Sequence, residues 1–267
     1  MTGTLTAAAG SPLVDVRSTE SRIALAAVLL TCTGLAAAVN VVGGLGQATA
    51  VLRASARAVL QLLAVAVVVT AVLASLPLTL AFLALMSTVA SATAARRLTR
   101  DRSGAWCVLP VLVAAVPVLV LLVGVRLVPA TGTALVPVGG ILIGGAMTAT
   151  VLAGRRALDA LSTRHGEYEA GLSIGLPGRD AALLVARDDA ALALLPGLDQ
   201  TRTVGLVTLP GAFVGMLLGG ATPAEAAAVQ LVVLVALLLV QSTAVLVVLE
   251  LVASGRLRDP RRRGVTR

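Results

Sequence analysis

Lysine is missing altogether: all 21 cationic side chains are arginine, and they give the 267-residue chain a formal net charge of +8. A Walker A loop needs its lysine against the phosphates, so this sequence holds no P-loop ATPase, and lysine Schiff-base chemistry falls with it. Aromatic residues are almost as scarce. Phe82, Trp106, Tyr168 and Phe213 are the full set, too few for an aromatic cage or a base-stacking platform. The two cysteines, Cys32 and Cys107, stand far apart in or beside apolar runs. They read as small core residues, not as a disulfide framework or a metal pair. The single histidine, His165, has only charged and small neighbours and reads as a solvated loop residue.

Charge is scarce, at 13% of residues, whereas 58% are hydrophobic and the mean hydropathy is +0.99. No soluble domain has that balance, and several uncharged runs reach the roughly 20 residues that cross a bilayer. The expected fold is an all-α polytopic membrane protein with about seven transmembrane helices. The spans fall near 23–43, 56–75, 77–95, 107–125, 134–153, 203–220 and 226–252, and the short sixth fits either a tilted, half-buried span or a discontinuous helix at a site. Ser75-Leu76-Pro77 separates the second from the third, and Pro110 and Pro117 are expected to bend the fourth. Residues 1–22 read as a disordered tail, 23–255 as the transmembrane domain and 256–267 as a basic cytosolic tail. A late-charged start followed by a full-length span argues against a signal peptide.

Arginine placement gives the orientation. With the N-terminus outside, 18 of the 21 arginines lie on the inner segments, and only Arg17, Arg22 and Arg126 fall outside them. The positive-inside rule therefore selects N-out, C-in, in the plasma or inner membrane. Topology accounts for the basic charge, so nucleic acid is not an expected partner; the lipid bilayer is. The Arg261-Arg262-Arg263 run reads first as a topology anchor and second as an anionic-lipid contact.

Between spans five and six lies a cytosolic segment, 154–202, too long for a simple connection. Leu158, Leu161, His165, Tyr168, Leu172 and Leu176 recur at helical spacing and predict one amphipathic helix. Pro177-Gly178 breaks it, Asp180 is placed to cap a second, and Pro196-Gly197 ends that one. Such helices could lie on the membrane face or dock onto a cytosolic protein, and periodicity leaves both open.

The span interiors carry no ionisable residue. An ion-driven transporter usually keeps one there, so energy is expected to arrive from outside this chain. Glu225 sits in a first helical turn, where a carboxylate favours the helix dipole, and Glu250 lies near the inner end of the last span. Arg53, Arg57 and Gln61 share a helix face at the inner end of span two. Either the arginines snorkel to headgroups while Gln61 bonds a neighbouring helix, or the three form a polar mouth. Arg57, Gln61, Met147, Met216 and Gln230 are the candidates for a substrate path. Gly140 and Gly144 form one small-residue pair, and Gly211, Gly215 and Gly219 recur every four residues as a helix-packing seam. No residue is a candidate for catalysis or for holding a metal.

Several stretches together resemble one family, the FetB-like ABC-transporter permeases, which include the plant aluminium-sensitivity permeases. They are Arg57-Ala58 with Gln61-Leu62, Pro137-Val138-Gly139 with Gly144 and Met147-Thr148-Ala149, Glu169-Ala170 with Gly175, and the run Thr203 to Gly211. Gly215, Gly219, Pro223, Ala226 and Gln230 continue the likeness in register. It implies a permease subunit, not an enzyme, that binds no cofactor itself and works as a homodimer with a separate ATP-binding subunit. It also implies that Glu169, Ala170, Gly171 and Gly175 are the coupling element that touches this ATPase, with Gly171 replacing an alanine. Iron export and nucleotide-sugar or aluminium-tolerance transport are the activities implied. Where the family tends to have methionine, this chain has Gly140 and Ala212-Phe213, and Gly145 stands for a usual asparagine. Losing thioethers weakens the case for a soft-metal cargo. A self-contained secondary transporter and a non-transporting membrane scaffold are the alternatives.

Overall fold

A computed structural model describes residues 18–258; the expected terminal tails, including Arg261 to Arg263, otherwise lie outside the described residues. Ten α-helices account for most of the described chain, with no named strand among the described residues. Six are long and apolar enough to cross a membrane: α1 (Thr19–Val42), α2 (Ala48–Ala74), α3 (Leu76–Leu98), α4 (Val108–Gly124, led by a 3-10 turn from Arg102), α5 (Gly132–Thr163) and α10 (Pro223–Ala253). Four short ones lie between the last two: α6 (His165–Ser173), α7 (Gly178–Ala191), α8 (Leu195–Thr203) and α9 (Gly211–Leu218). The chain is a multi-pass, all-α membrane protein.

Backbone contacts divide it into two units, Met1–Ala71 and Val72–Arg267. In the first, α1 starts at Thr19, so the expected tail to residue 22 is shorter; Ser18 caps it, accepting from Ser21 N at 3.1 Å. Nothing in α1 is buried. Ser21, Leu25, Thr33, Ala37 and Asn40 are half-covered at helical spacing, and the rest of the helix is exposed.

The second unit is built on glycine contacts. A Cβ at Gly132 would lie 2.7 Å from Leu73 Cα, one at Gly139 2.6 Å from Leu83, and one at Gly154 2.9 Å from Leu98. Residue numbers rise together, so α3 and α5 run side by side in one direction. Gly145 abuts Leu237 and Gly154 abuts Val248, so α10 is parallel to α5 as well. Close backbone approach at small residues is how membrane helices gain packing without a hydrophobic drive. Buried hydroxyls are satisfied locally: Thr79 donates to Val72 O at 2.7 Å, and Thr150 to Ala146 O at 2.7 Å.

Two parallel helices need a return path, and the chain supplies it in pieces. Arg179 at the start of α7 meets Glu250, and Gly197 at the start of α8 meets Gln241. From there to Pro223 the chain must climb about 27 Å of α10 at 1.5 Å per residue. It does so through α8, a tight turn and the eight-residue α9. The expected sixth span, 203–220, is therefore not one helix. Gly205 N bonds Thr208 O at 2.9 Å and Val207 N bonds Thr203 O at 2.9 Å, while Pro210 and Gly219 bracket α9. Hydropathy alone cannot separate such a broken crossing from a continuous helix.

Two further expectations on the inner segment need correction. The amphipathic helix from Leu158 to Leu176 is divided, because α5 runs on unbroken to Thr163 and Arg164 separates it from α6. Pro196-Gly197 opens α8 instead of closing a helix; Pro196 occupies the first turn, where its missing N–H costs nothing. Asp180 sits in the first turn of α7 and the cap position is Pro177.

Candidate functional site

The C-terminal ends of α3, α5 and α10 gather the arginines. Arg155 on α5 donates through Nε and a terminal nitrogen to Arg97 O, both at 3.2 Å. A cation on the last carbonyls of a helix satisfies orphan acceptors and meets the negative dipole end. Arg256 stacks over Trp106 at 5.3 Å, and Ser103 Oγ donates to Arg258 O at 3.2 Å.

Against this end lies the layer formed by α6 and α7. Its two helices cross tightly at Gly171, where a Cβ would stand 3.2 Å from Ala181 Cβ. Glycine in place of alanine thus has a local cause: α7 occupies the space. Gly175, at φ +90°, ends α6, and Leu176 N returns to Gly171 O at 3.1 Å. That is a Schellman closure, which calls for a left-handed residue. Glu169 and Ala170 are exposed on the other side. His165, half-buried instead of solvated, stacks on Tyr168 at 5.9 Å and reaches Glu169 with Nε2 at 3.2 Å.

Ion pairs fasten the layer to the long helices. Arg164, at the junction of α5 and α6, binds Asp189 and the Val185 carbonyl of α7. Arg179 binds Glu250 of α10 in a fork, Nε to Oε1 at 2.5 Å and a terminal nitrogen to Oε2 at 2.7 Å, and reaches Asp180 at 2.8 Å. Hydrogen bonding to Glu250, then its charge, raises the Arg179 guanidinium above its ordinary value. Bidentate geometry fixes orientation better than a point charge would. Neither pair was visible in the sequence, since their partners are 25 and 71 residues apart.

The remaining candidates are dispersed. Arg57 and Gln61 are exposed on α2 in the first unit. Within the second, Met147 packs against the apolar core, Met216 is half-buried on α9, and Gln230 is buried on α10. Gln230 Oε1 has no hydrogen-bond partner, nor does Oε1 of Gln241, a polar residue of the last span that was not among the path candidates. Gln241 fills the wedge between Gly145 of α5 and Gly197 of α8. Within this chain the expected glycine seam meets little: nothing lies within 4 Å of a Cβ at Gly211 or Gly215, and Gly219 is the C-cap of α9.

Comparison with known proteins bears on this arrangement. The model of an uncharacterised protein family, UPF0014, matches residues 21–255. The chain belongs to UPF0014. Among its relatives, the UPF0014 membrane protein STAR2 of Oryza sativa subsp. japonica is 36% identical over 58% of this chain and 54% of its own length. Protein ALUMINUM SENSITIVE 3 of Arabidopsis thaliana is 35% identical over 58% of this chain and 57% of its own. The probable iron export permease protein FetB of Escherichia coli (strain K12) is 32% identical over 37% of this chain and 38% of its own. The UPF0014 chain described here thus spans about half the length of the curated plant relatives it matches, and less of the bacterial one. No solved structure matches.

Proposed function

We propose that the chain is the membrane permease subunit of an ABC transporter and takes its energy from a separate ATP-binding subunit docked on α6. The observation that carries this reading is a mechanical path. Glu169 and Ala170 offer an exposed face, Gly171 presses α6 onto α7, and the Arg179–Glu250 fork passes any movement of α7 to α10. Membership of UPF0014 and the permease name of one relative support it. The absence of lysine keeps ATP hydrolysis off this sequence.

Alternating access would then follow from tilting α5 and α10 together, since their glycine contacts hold them as a pair. Two copies with two ATPases would make the working assembly. Iron is the first cargo to test, from the name of the bacterial relative. Among the described residues no three His, Cys, Asp or Glu side chains converge. A metal cargo would therefore pass along weak oxygen and thioether ligands, including Gln230 and Met216, without a built binding site.

The test is co-purification of the full chain with a candidate ATP-binding subunit, followed by reconstitution. The wild type is expected to retain the ATPase and raise its turnover when cargo is added. E169R is expected to lose the ATPase while staying monodisperse. Transport by the chain alone, with nucleotide absent, would overturn the reading in favour of a secondary transporter.

A further inference from the structure

Between the end of α3 and the 3-10 turn before α4 lies an open cavity of about 440 Å³. Its walls are Ala95, Arg96, Thr99, Arg100, Asp101, Arg102, Gly104 and Ala105. Three arginines thus face one carboxylate, and among the described residues none of the three makes an ion pair within 4 Å. Asp101 is occupied with backbone, capping the 3-10 turn by accepting from Ser103 N at 3.4 Å. Gly104 makes the floor, its Cα close enough to α3 that a Cβ would stand 3.1 Å from Ala95 Cβ and 3.2 Å from Thr99 Cγ2.

We propose that this cavity binds the phosphate of an anionic phospholipid from the inner leaflet. Its size suits a small polar ligand. Guanidinium groups match phosphate oxygens in a planar fork, and basic pockets between membrane helices on the cytosolic side hold lipid headgroups. A phosphate could also come from solution. The lipid is favoured by position: the cavity lies at the hairpin joining two helices long and apolar enough to cross a membrane, where headgroups would meet it. Exposed apolar residues lead away from it along both helices, Leu85 and Val89 on α3 and Val108 and Leu109 on α4, giving acyl chains a surface. Trp106, 43% exposed and adjoining the cavity in sequence, is the amphipathic ring expected at that depth. The proposal is independent of whether the chain is a permease.

Trp106 is the sole tryptophan of the chain, so its fluorescence reports on the site. The purified full chain is reconstituted in phosphatidylcholine bilayers with a fixed fraction of brominated phosphatidylglycerol, or of brominated phosphatidylcholine as the reference. Phosphatidylglycerol is expected to quench Trp106 several-fold more strongly, and the preference should shrink with added salt. R96Q/R100Q/R102Q should remove it, while R126Q at the opposite end leaves it unchanged. If the triple variant is not monodisperse, R100Q and R102Q are measured singly, each expected to lower the preference about fivefold at roughly 1 kcal/mol per arginine. D101N keeps the cap, because asparagine caps as well as aspartate, and should raise the preference. Equal quenching by the two lipids in the wild type would overturn the proposal and leave the cavity to an acidic protein segment. Relief of quenching by millimolar inorganic phosphate would reassign it to soluble phosphate. A D101N variant that loses the preference would show that shape, not charge, selects the lipid, and would overturn it too.

Discussion

At the scale of single residues, the second unit depends on absences of a side chain. Gly197 leaves room for the end of the Gln241 side chain, Gly171 lies close against Ala181, and Gly132 meets the Leu73 backbone itself. G132A should destabilise the purified protein by about 1–3 kcal/mol, because a Cβ there would lie 2.7 Å from Leu73 Cα and 2.8 Å from Leu73 O, atoms that cannot swing aside. The measurement is a thermal-unfolding midpoint in detergent, with G144A as the control, since nothing lies within 4 Å of a Cβ there. An equal shift in both would show that α5 does not press on the Leu73 backbone. Gly205, at φ +82°, belongs to another class. G205V would strain the turn itself by about 1–2 kcal/mol, the left-handed penalty for an L-residue. These dependencies were only partly legible: a sequence shows a glycine but not what stands against it. Gly171 read as a departure from an alanine motif, and only the neighbouring helix gives the reason.

Among elements, the fasteners matter more for transmission than for stability. Arg179 is 51% and Glu250 43% exposed, so solvent screening leaves the fork little weight in folding. R179E should leave the unfolding midpoint nearly unchanged but sharply lower cargo-stimulated ATP turnover of the reconstituted complex. The swap R179E/E250R should recover much of it. Recovery is the decisive result, because a merely disturbed surface would not respond to exchange of the two charges. Six of the seven expected crossings were legible because uninterrupted apolar length is a sufficient cause of a membrane helix. For the remaining crossing, 203–220, the sequence left a tilted span and a discontinuous helix both open, because the run is short but just as apolar. Its path is decided by Gly205, Pro210 and Gly219, whose turns become evident only when α5 and α10 are seen to run in parallel.

For the whole molecule, the parallel course of α3, α5 and α10 fixes which loops share a side. Arg126, between α4 and α5, stands opposite Arg97, Arg155 and Arg256. Single cysteines at 126 and 164 in a background lacking Cys32 and Cys107 should differ accordingly. A membrane-impermeant thiol reagent on intact cells is expected to label position 126 and spare 164; the reverse pattern would invert the topology and remove α6 from the ATPase side. The arginine counts predict the orientation, and this labelling pattern tests it. The α6–α7 layer was half legible: its existence followed from length, its attachments did not.

Helix α5 runs 32 residues without a break, about 48 Å at 1.5 Å per residue and well beyond the roughly 30 Å hydrocarbon core. If the chain works as proposed, such a rod would act as a lever with its fulcrum in the membrane: a pivot of about 10° around its midpoint would swing either tip by about 4 Å, the width of a gap that passes one ion.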